Sequence, residues 1–183
     1  GAAGCVIAAR LSESRDVRVL LIEQGPADRN PFIHMPVTYY KTAKGPLLSR
    51  FEVEDSTPGR KGSYPEMVQG RVLGGGSSIN GMNYMRGIPS DYDNWAKMGA
   101  TDWSYDEVLP YFIKSETNER FGGLAHGSFG PLHVSDQRHT SPVTKSWLRA
   151  CQDYGVPFNA DFNSGEQLGC GLYQVMMKNG RRD

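Results

Sequence analysis

Apolar positions fall into runs of different period along the chain. Cys5-Val6-Ile7-Ala8-Ala9-Arg10-Leu11 is apolar nearly all round, which predicts a helix buried on several sides. The polar stretch 12–16 closes it. Val17-Arg18-Val19-Leu20-Leu21-Ile22 then predicts a buried strand ending at Glu23, and Gln24-Gly25-Pro26 breaks it. Helix followed by buried strand is the second half of a βαβ unit. Residues 26–70 read as loop-rich, punctuated by Pro26, Pro31, Pro36, Pro46, Pro58 and Pro65, with one short helix over 32–40.

Further on the period becomes helical. Ser90 reads as the cap of a helix with acids in its first turn and Gly99 as its stop. Ser104-Tyr105-Asp106-Glu107 is a capping box. Tyr105, Val108, Leu109 and Phe112 follow on one helical face, with Pro110 kinking or limiting that helix. Pro131 to Ser135 reads as a short strand. Ser141-Pro142 opens a helix that ends at Gly155, with Val143, Trp147, Ala150, Cys151 and Tyr154 on one face. Residues 172–177 read as a strand turning at Asn179-Gly180. Trp95, Trp103 and Trp147 are expected in the core, as are Met176 and Met177 along their strand.

Composition narrows the function classes. Lys+Arg and Asp+Glu are both 20, so bulk charge favours neither nucleic acid nor an anionic membrane. No apolar stretch is long enough to span a bilayer. Cys5, Cys151 and Cys170 are odd in number and lack a CxxC pair, which suits buried thiols in a reducing compartment rather than disulfides or zinc. Glycine is the outlier, with 22 of 183 residues against about 7% in an average protein. The chain starts inside a motif and stops just past a hairpin. It therefore reads as a segment of a longer protein, expected to fold poorly and to hold a cofactor weakly by itself.

Gly1-Ala2-Ala3-Gly4 is the tail of a GxGxxG dinucleotide fingerprint, where backbone N–H groups and the helix dipole meet a pyrophosphate. Glu23 follows Gly4 at the spacing of the carboxylate that holds ribose hydroxyls. Gly74-Gly75-Gly76-Ser77-Ser78 offers consecutive unobstructed N–H donors to a close ligand. Residues 79–85 then read as a helix start, with Asn80 able to cap it or to bond that ligand. Asp91 and Asp93 read as complements to a helix dipole rather than a catalytic pair, and no GxSxG elbow surrounds Ser77-Ser78.

The stretch from Gly70 to Gly87, with Asp91-Tyr92-Asp93-Asn94-Trp95 after it, resembles the first signature of the glucose–methanol–choline (GMC) flavin oxidoreductases. The resemblance continues through Trp103-Ser104-Tyr105, Val108 to Phe112, Lys114-Ser115-Glu116, Gly130 to Val134 and Asn179-Gly180-Arg181-Arg182, so it covers almost the whole chain. Ser78-Ile79-Asn80-Gly81-Met82 is similar to the wording of choline dehydrogenases and broad alcohol dehydrogenases of that family.

The resemblance implies an α/β fold: a partial Rossmann-like FAD-binding domain over 1–130, lacking its first and later strands, and the start of an α+β substrate-side region over 131–183. It implies FAD as cofactor and oxidation of an alcohol by hydride transfer to flavin N5. Gly1, Ala2, Ala3 and Gly4 would lie against the FAD pyrophosphate, and Glu23 would bind the adenosine ribose. Val72, Gly76 and Ser77 would line the cofactor's path, and Asn80, Gly81, Met82 and Asn83 would contact the flavin end. Arg71 would support the loop near the phosphates. The family's catalytic histidine lies in a C-terminal segment that this sequence does not contain, so no catalytic residue is assigned. His34, His126, His133 and His139 read as surface or structural. A GMC-type lyase and a non-catalytic FAD-binding remnant stay open, as do the alcohol, the electron acceptor (oxygen or a quinone) and the compartment. The motif at 70–87 speaks against an NAD(P) enzyme.

Overall fold

The computed structural model describes residues 1–53 and 66–183, which divide into two compact units. Pro58 and Pro65 of the loop-rich stretch lie outside the described residues.

The first unit comprises residues 1–81 with Arg182. Its opening helix α1 (Ala2–Leu11) forms as the Gly-Ala start dictates, but it buries no residue. The expected strand over 17–22 is a correction. This segment forms no strand and pairs with none among the described residues, and Leu20 and Ile22 are each 83% exposed. An all-apolar strand needs pairing on its edges and cover on both faces. The described residues of this unit supply neither. One contact of the expected kind exists: a Cβ on Gly4 would stand 3.9 Å from Leu21 Cδ1.

The single helix expected over 32–40 is instead three short pieces. Helix α2 (Pro31–His34) is capped by Asn30, whose side chain accepts from Phe32 N–H. A 3₁₀ turn (Pro36–Thr38) and α3 (Tyr39–Thr42) follow. Pro36 divides them because it has no N–H to give a continuing helix. Strands β1 (Leu48–Phe51) and β2 (Met67–Gly70) pair antiparallel, Leu48 opposite Gly70. Ile33, Leu47, Val72 and Ile79 form this unit's small core.

The second unit comprises residues 82–181 with Asp183. Residues 79–85 do not start a helix. Met82 has φ +62°, a left-handed conformation that ends any helical run, and β3 (Asn83–Tyr84) pairs antiparallel with β6 (Gln174–Val175). Helix α4 (Pro89–Lys97) begins two residues earlier than expected. Its cap is Ile88 rather than Ser90, and Asp91 Oδ2 accepts from Ile88 N–H at 3.0 Å. Asp93 serves the next helix instead, accepting from Tyr105 N–H at 3.0 Å.

Helix α5 (Tyr105–Ser115) carries the expected Ser104–Glu107 box and runs five residues past Pro110. Tyr105, Val108, Leu109 and Phe112 are half-buried, and the Tyr92 ring meets Phe112 edge-on at 5.7 Å. Strands β4 (Glu116–Asn118) and β5 (Leu132–Val134) pair in parallel. Helix α6 (Pro142–Asp153) is capped by Ser141, whose hydroxyl accepts from Thr144 N–H, and Gly155 at φ +94° closes it. Its apolar face is not core: Trp147 is 69% and Tyr154 90% exposed. Trp95 and Trp103 are also exposed, their rings 5.9 Å apart and tilted by 59°. Periodicity located these faces correctly, but it carries no information about what covers them. Strands β7 (Met177–Lys178) and β8 (Arg181–Arg182) form a hairpin whose turn residues, Asn179 and Gly180, both have positive φ. All three cysteines are free and half-buried.

No helix of the described residues is long and apolar enough to cross a membrane.

Candidate functional site

The two glycine-rich segments of the first unit meet. Gly75 approaches α1 so closely that a Cβ on it would stand 2.5 Å from the Gly1 Cα. The loop is held by its own turns. Gly74 takes φ +86° and Gly75 φ +61°, Gly75 N–H donates to Val72 O, and the Ser77 and Ser78 hydroxyls donate to Gly74 O and Leu73 O. Glu23 reaches the same place. One carboxylate oxygen accepts from Gly25 N–H at 2.9 Å and the other lies 3.5 Å from the Gly1 nitrogen. The Gly25 N–H bond holds the Glu23 carboxyl below the ordinary carboxylate value, so it is ionised at neutral pH.

Between these segments lies an open cleft of about 520 Å³, lined by Gly1, Gly76, Asn80 and Ile79 and by the β2 edge at Val68 to Gly70. A Cβ on Gly1 or Gly76 would meet no atom within 4 Å. The first turn of α1 leaves the N–H groups of Ala2, Ala3 and Gly4 without helical partners, at the positive end of the helix dipole. Arg71 donates from one guanidinium nitrogen to Pro46 O at 3.0 Å, while its buried Nε has no partner among the described residues. This combination suits an elongated ligand with an anionic middle and hydroxyls at one end.

The expected residues thus fall into three groups. Gly1, Gly76 and Asn80 line the cleft, Ala2, Ala3, Gly4 and Glu23 lie at the helix start that borders it, and Ser77 belongs to the loop's own turn. Val72 is wholly buried, so its side chain belongs to the core, and Gly81 is exposed beside Tyr39. Met82 and Asn83 belong to the second unit, where Met82 O accepts from Met176 N–H at 2.8 Å.

The second unit holds a feature that sequence reading missed. Arg86, Glu116 and His126 are buried together. Arg86 donates to Glu116 at 2.5 Å, and His126 Nδ1 lies 3.0 Å from the other Glu116 oxygen. His126 Nε2 lies 2.9 Å from Asp161, and the Asn118 amide donates to Glu116 at 2.6 Å and to Gln174 at 2.8 Å. The Tyr84 hydroxyl accepts from Arg86, and Gly127 N–H donates to Glu116.

Burial pushes the Glu116 carboxyl up, but bonds from His126, Asn118 and Gly127 and the charge of Arg86 hold it below the ordinary value. Burial likewise pushes His126 down, and Glu116 and Asp161 raise it above the ordinary imidazole value. The raised His126 contributes stability that is complete below its ordinary 6.5 and is lost as pH rises through the folded value. Glu116 contributes stability that is complete above its ordinary 4.5 and is lost as pH falls through the folded value. The second unit is expected to be most stable between pH 4.5 and 6.5, weakening on the alkaline side. Urea midpoints from about pH 4 to pH 9 check this. His126→Gln should flatten the alkaline limb, and an unchanged limb would remove His126 as its cause.

Comparison with known proteins adds to this geometry. The family described as GMC oxidoreductase matches residues 1–183. The chain is 40% identical over 186 residues to an alcohol dehydrogenase [acceptor] of Pseudomonas putida, covering all of this chain and 33% of that protein. It is 36% identical over 189 residues to the mitochondrial choline dehydrogenase of Mus musculus, covering all of this chain and 32% of the relative. The chain therefore spans about a third of the length of the curated relatives it matches. An FAD-dependent oxidoreductase from Chaetomium thermophilum has the same fold with a TM-score of 0.81 and 30% identity, over 97% of this chain and 32% of that one.

Proposed function

This chain belongs to the GMC oxidoreductase family, and from that premise we propose that it is the FAD-holding part of an enzyme that oxidises an alcohol. The observation that carries the reading is that Glu23 and the Gly74–Ser78 loop both meet the α1 start, beside an open cleft.

In this reading the free N–H groups of Ala2, Ala3 and Gly4 bind the pyrophosphate, helped by the helix dipole. The ionised Glu23 accepts from the ribose hydroxyls. Gly76 lets the cofactor pass close to the backbone, Ser77 and the backbone of Val72 border its path, and Arg71, bonded to Pro46 O, supports the loop near the phosphates. Asn80 and Gly81 meet the flavin end. The bound flavin supplies a hydride acceptor for the alcohol carbon. The substrate is a small alcohol, and the base that takes its hydroxyl proton belongs to a segment outside these 183 residues. The domain reading, 1–130 for FAD and 131 onward for the substrate side, is part of the same proposal.

Two substitutions test the cofactor site. Gly76→Ala places a methyl in open space, so the apoprotein should melt as wild type while FAD affinity falls about tenfold or more. Glu23→Ala removes a charged acceptor and should weaken FAD by about tenfold to a hundredfold. Fluorescence titration of the apoprotein with FAD reads both. Flavin reduction by alcohols in the whole protein tests the reaction, and a bound flavin that no alcohol reduces would refute it.

A further inference from the structure

Arg182 lies 102 residues beyond Asn80 in sequence, yet its guanidinium is clamped onto the glycine-rich loop. Nε donates to Ile33 O at 2.9 Å. One terminal nitrogen donates to Ser77 O at 2.9 Å and to Asn80 Oδ1 at 2.7 Å, and the other donates to Asn80 O at 2.8 Å. Ser77 lies in the last turn of the loop's 3₁₀ helix (Gly75–Ser78), where carbonyls lack continuing partners. The planar fork meets them in a way that a single ammonium would not. Among the described residues no carboxylate lies within ion-pair distance of Arg182, so neutral oxygens alone hold this half-buried cation.

The bond to Asn80 has a specific result. An amide side chain has two nearly isosteric orientations, and its surroundings choose between them. With Oδ1 held by Arg182, the carbonyl end of Asn80 is committed to the guanidinium, and the orientation of its NH₂ end is fixed with it. Asn80 lines the cleft. We infer that Arg182 is a positioning residue for the cofactor site: it fixes the Asn80 amide and the Ser77 turn in the form that receives the flavin, and it sets a positive charge close to that site. The inference rests on the flavin reading above.

The test uses the whole flavin-loaded protein with Arg182→Met, Arg182→Lys, Asn80→Ala and the Arg182→Met/Asn80→Ala double variant. FAD affinity, the flavin midpoint potential and the apoprotein melting curve are measured on each. Arg182→Met should weaken FAD about tenfold or more, since several charge-assisted bonds go at once. It should also lower the midpoint potential, because a cation that favours electron uptake is removed. In the Asn80→Ala background the same change should weaken FAD only about two- to threefold, as coupled neighbours are non-additive. Arg182→Lys keeps the charge but not the fork. It should retain most of the potential while losing affinity, and it carries the test if Arg182→Met does not fold. Losses that simply multiply between Arg182 and Asn80 would overturn the inference. So would a lowered melting point with affinity and potential unchanged. A wild-type protein that binds no FAD would refute the functional reading, and the inference with it.

Discussion

Glu116→Ala should destabilise the second unit by about 3–5 kcal/mol, the usual cost of removing one partner from a buried charge pair. Glu116 is fully buried and accepts from Arg86, His126, Asn118 and Gly127 N–H. Removing its carboxylate leaves the Arg86 guanidinium with the Ala125 carbonyl and the Tyr84 hydroxyl but no counter-charge. It also leaves His126 facing Asp161 alone. Urea unfolding gives the cost directly, provided the slope is unchanged. A loss below about 1 kcal/mol would mean that the cluster contributes no more than a surface ion pair does. Glu116→Gln is the useful companion. It keeps the shape and one acceptor but loses the charge, so its cost should fall between wild type and Glu116→Ala.

The second large effect is expected at Gly25. A Cβ there would stand 2.2 Å from Arg71 C and 2.3 Å from Val72 N, which are backbone atoms that cannot rotate away. Gly25 also donates to Glu23, and Leu73 N–H bonds Pro26 O. Gly25→Ala therefore pushes the Glu23 turn off the strand that leads into the glycine-rich loop. The expected cost is about 3 kcal/mol, the upper end for overpacking, with FAD affinity falling about a hundredfold. Gly76→Ala has the opposite profile, since it meets nothing in the protein. If both variants bind FAD like wild type, the cofactor does not use this cleft.

What the sequence made legible was local. The Ser104–Glu107 box, the Ser141 cap and the Asn179-Gly180 turn each depend on residues within three or four positions, and each forms as expected. The α1 start, Glu23 and the Gly74–Ser78 loop could be named because their spacing carries a motif. What failed depended on partners far along the chain. Residues 17–22 have strand composition, but pairing needs a neighbour that composition does not name. The faces of Trp147 and Tyr154 were found, but not their exposure. The Arg86–Glu116–His126–Asp161 cluster joins residues 10 to 35 apart, each of which reads singly as an ordinary polar position. The one available signal was that the family resemblance runs through both Arg86 and Glu116.

The clamp from Arg182 also orders events in time. Ile33, Ser77 and Asn80 leave the ribosome long before Arg182, whose bond to Ile33 spans 149 positions. At synthesis rates of about 5–20 residues per second, the 102 positions from Asn80 to Arg182 take about 5–20 s to translate. Through that interval the nascent loop has its glycines and its serine turns but not its guanidinium. The arrangement of this loop is therefore completed from downstream, by a residue that is made after everything it holds.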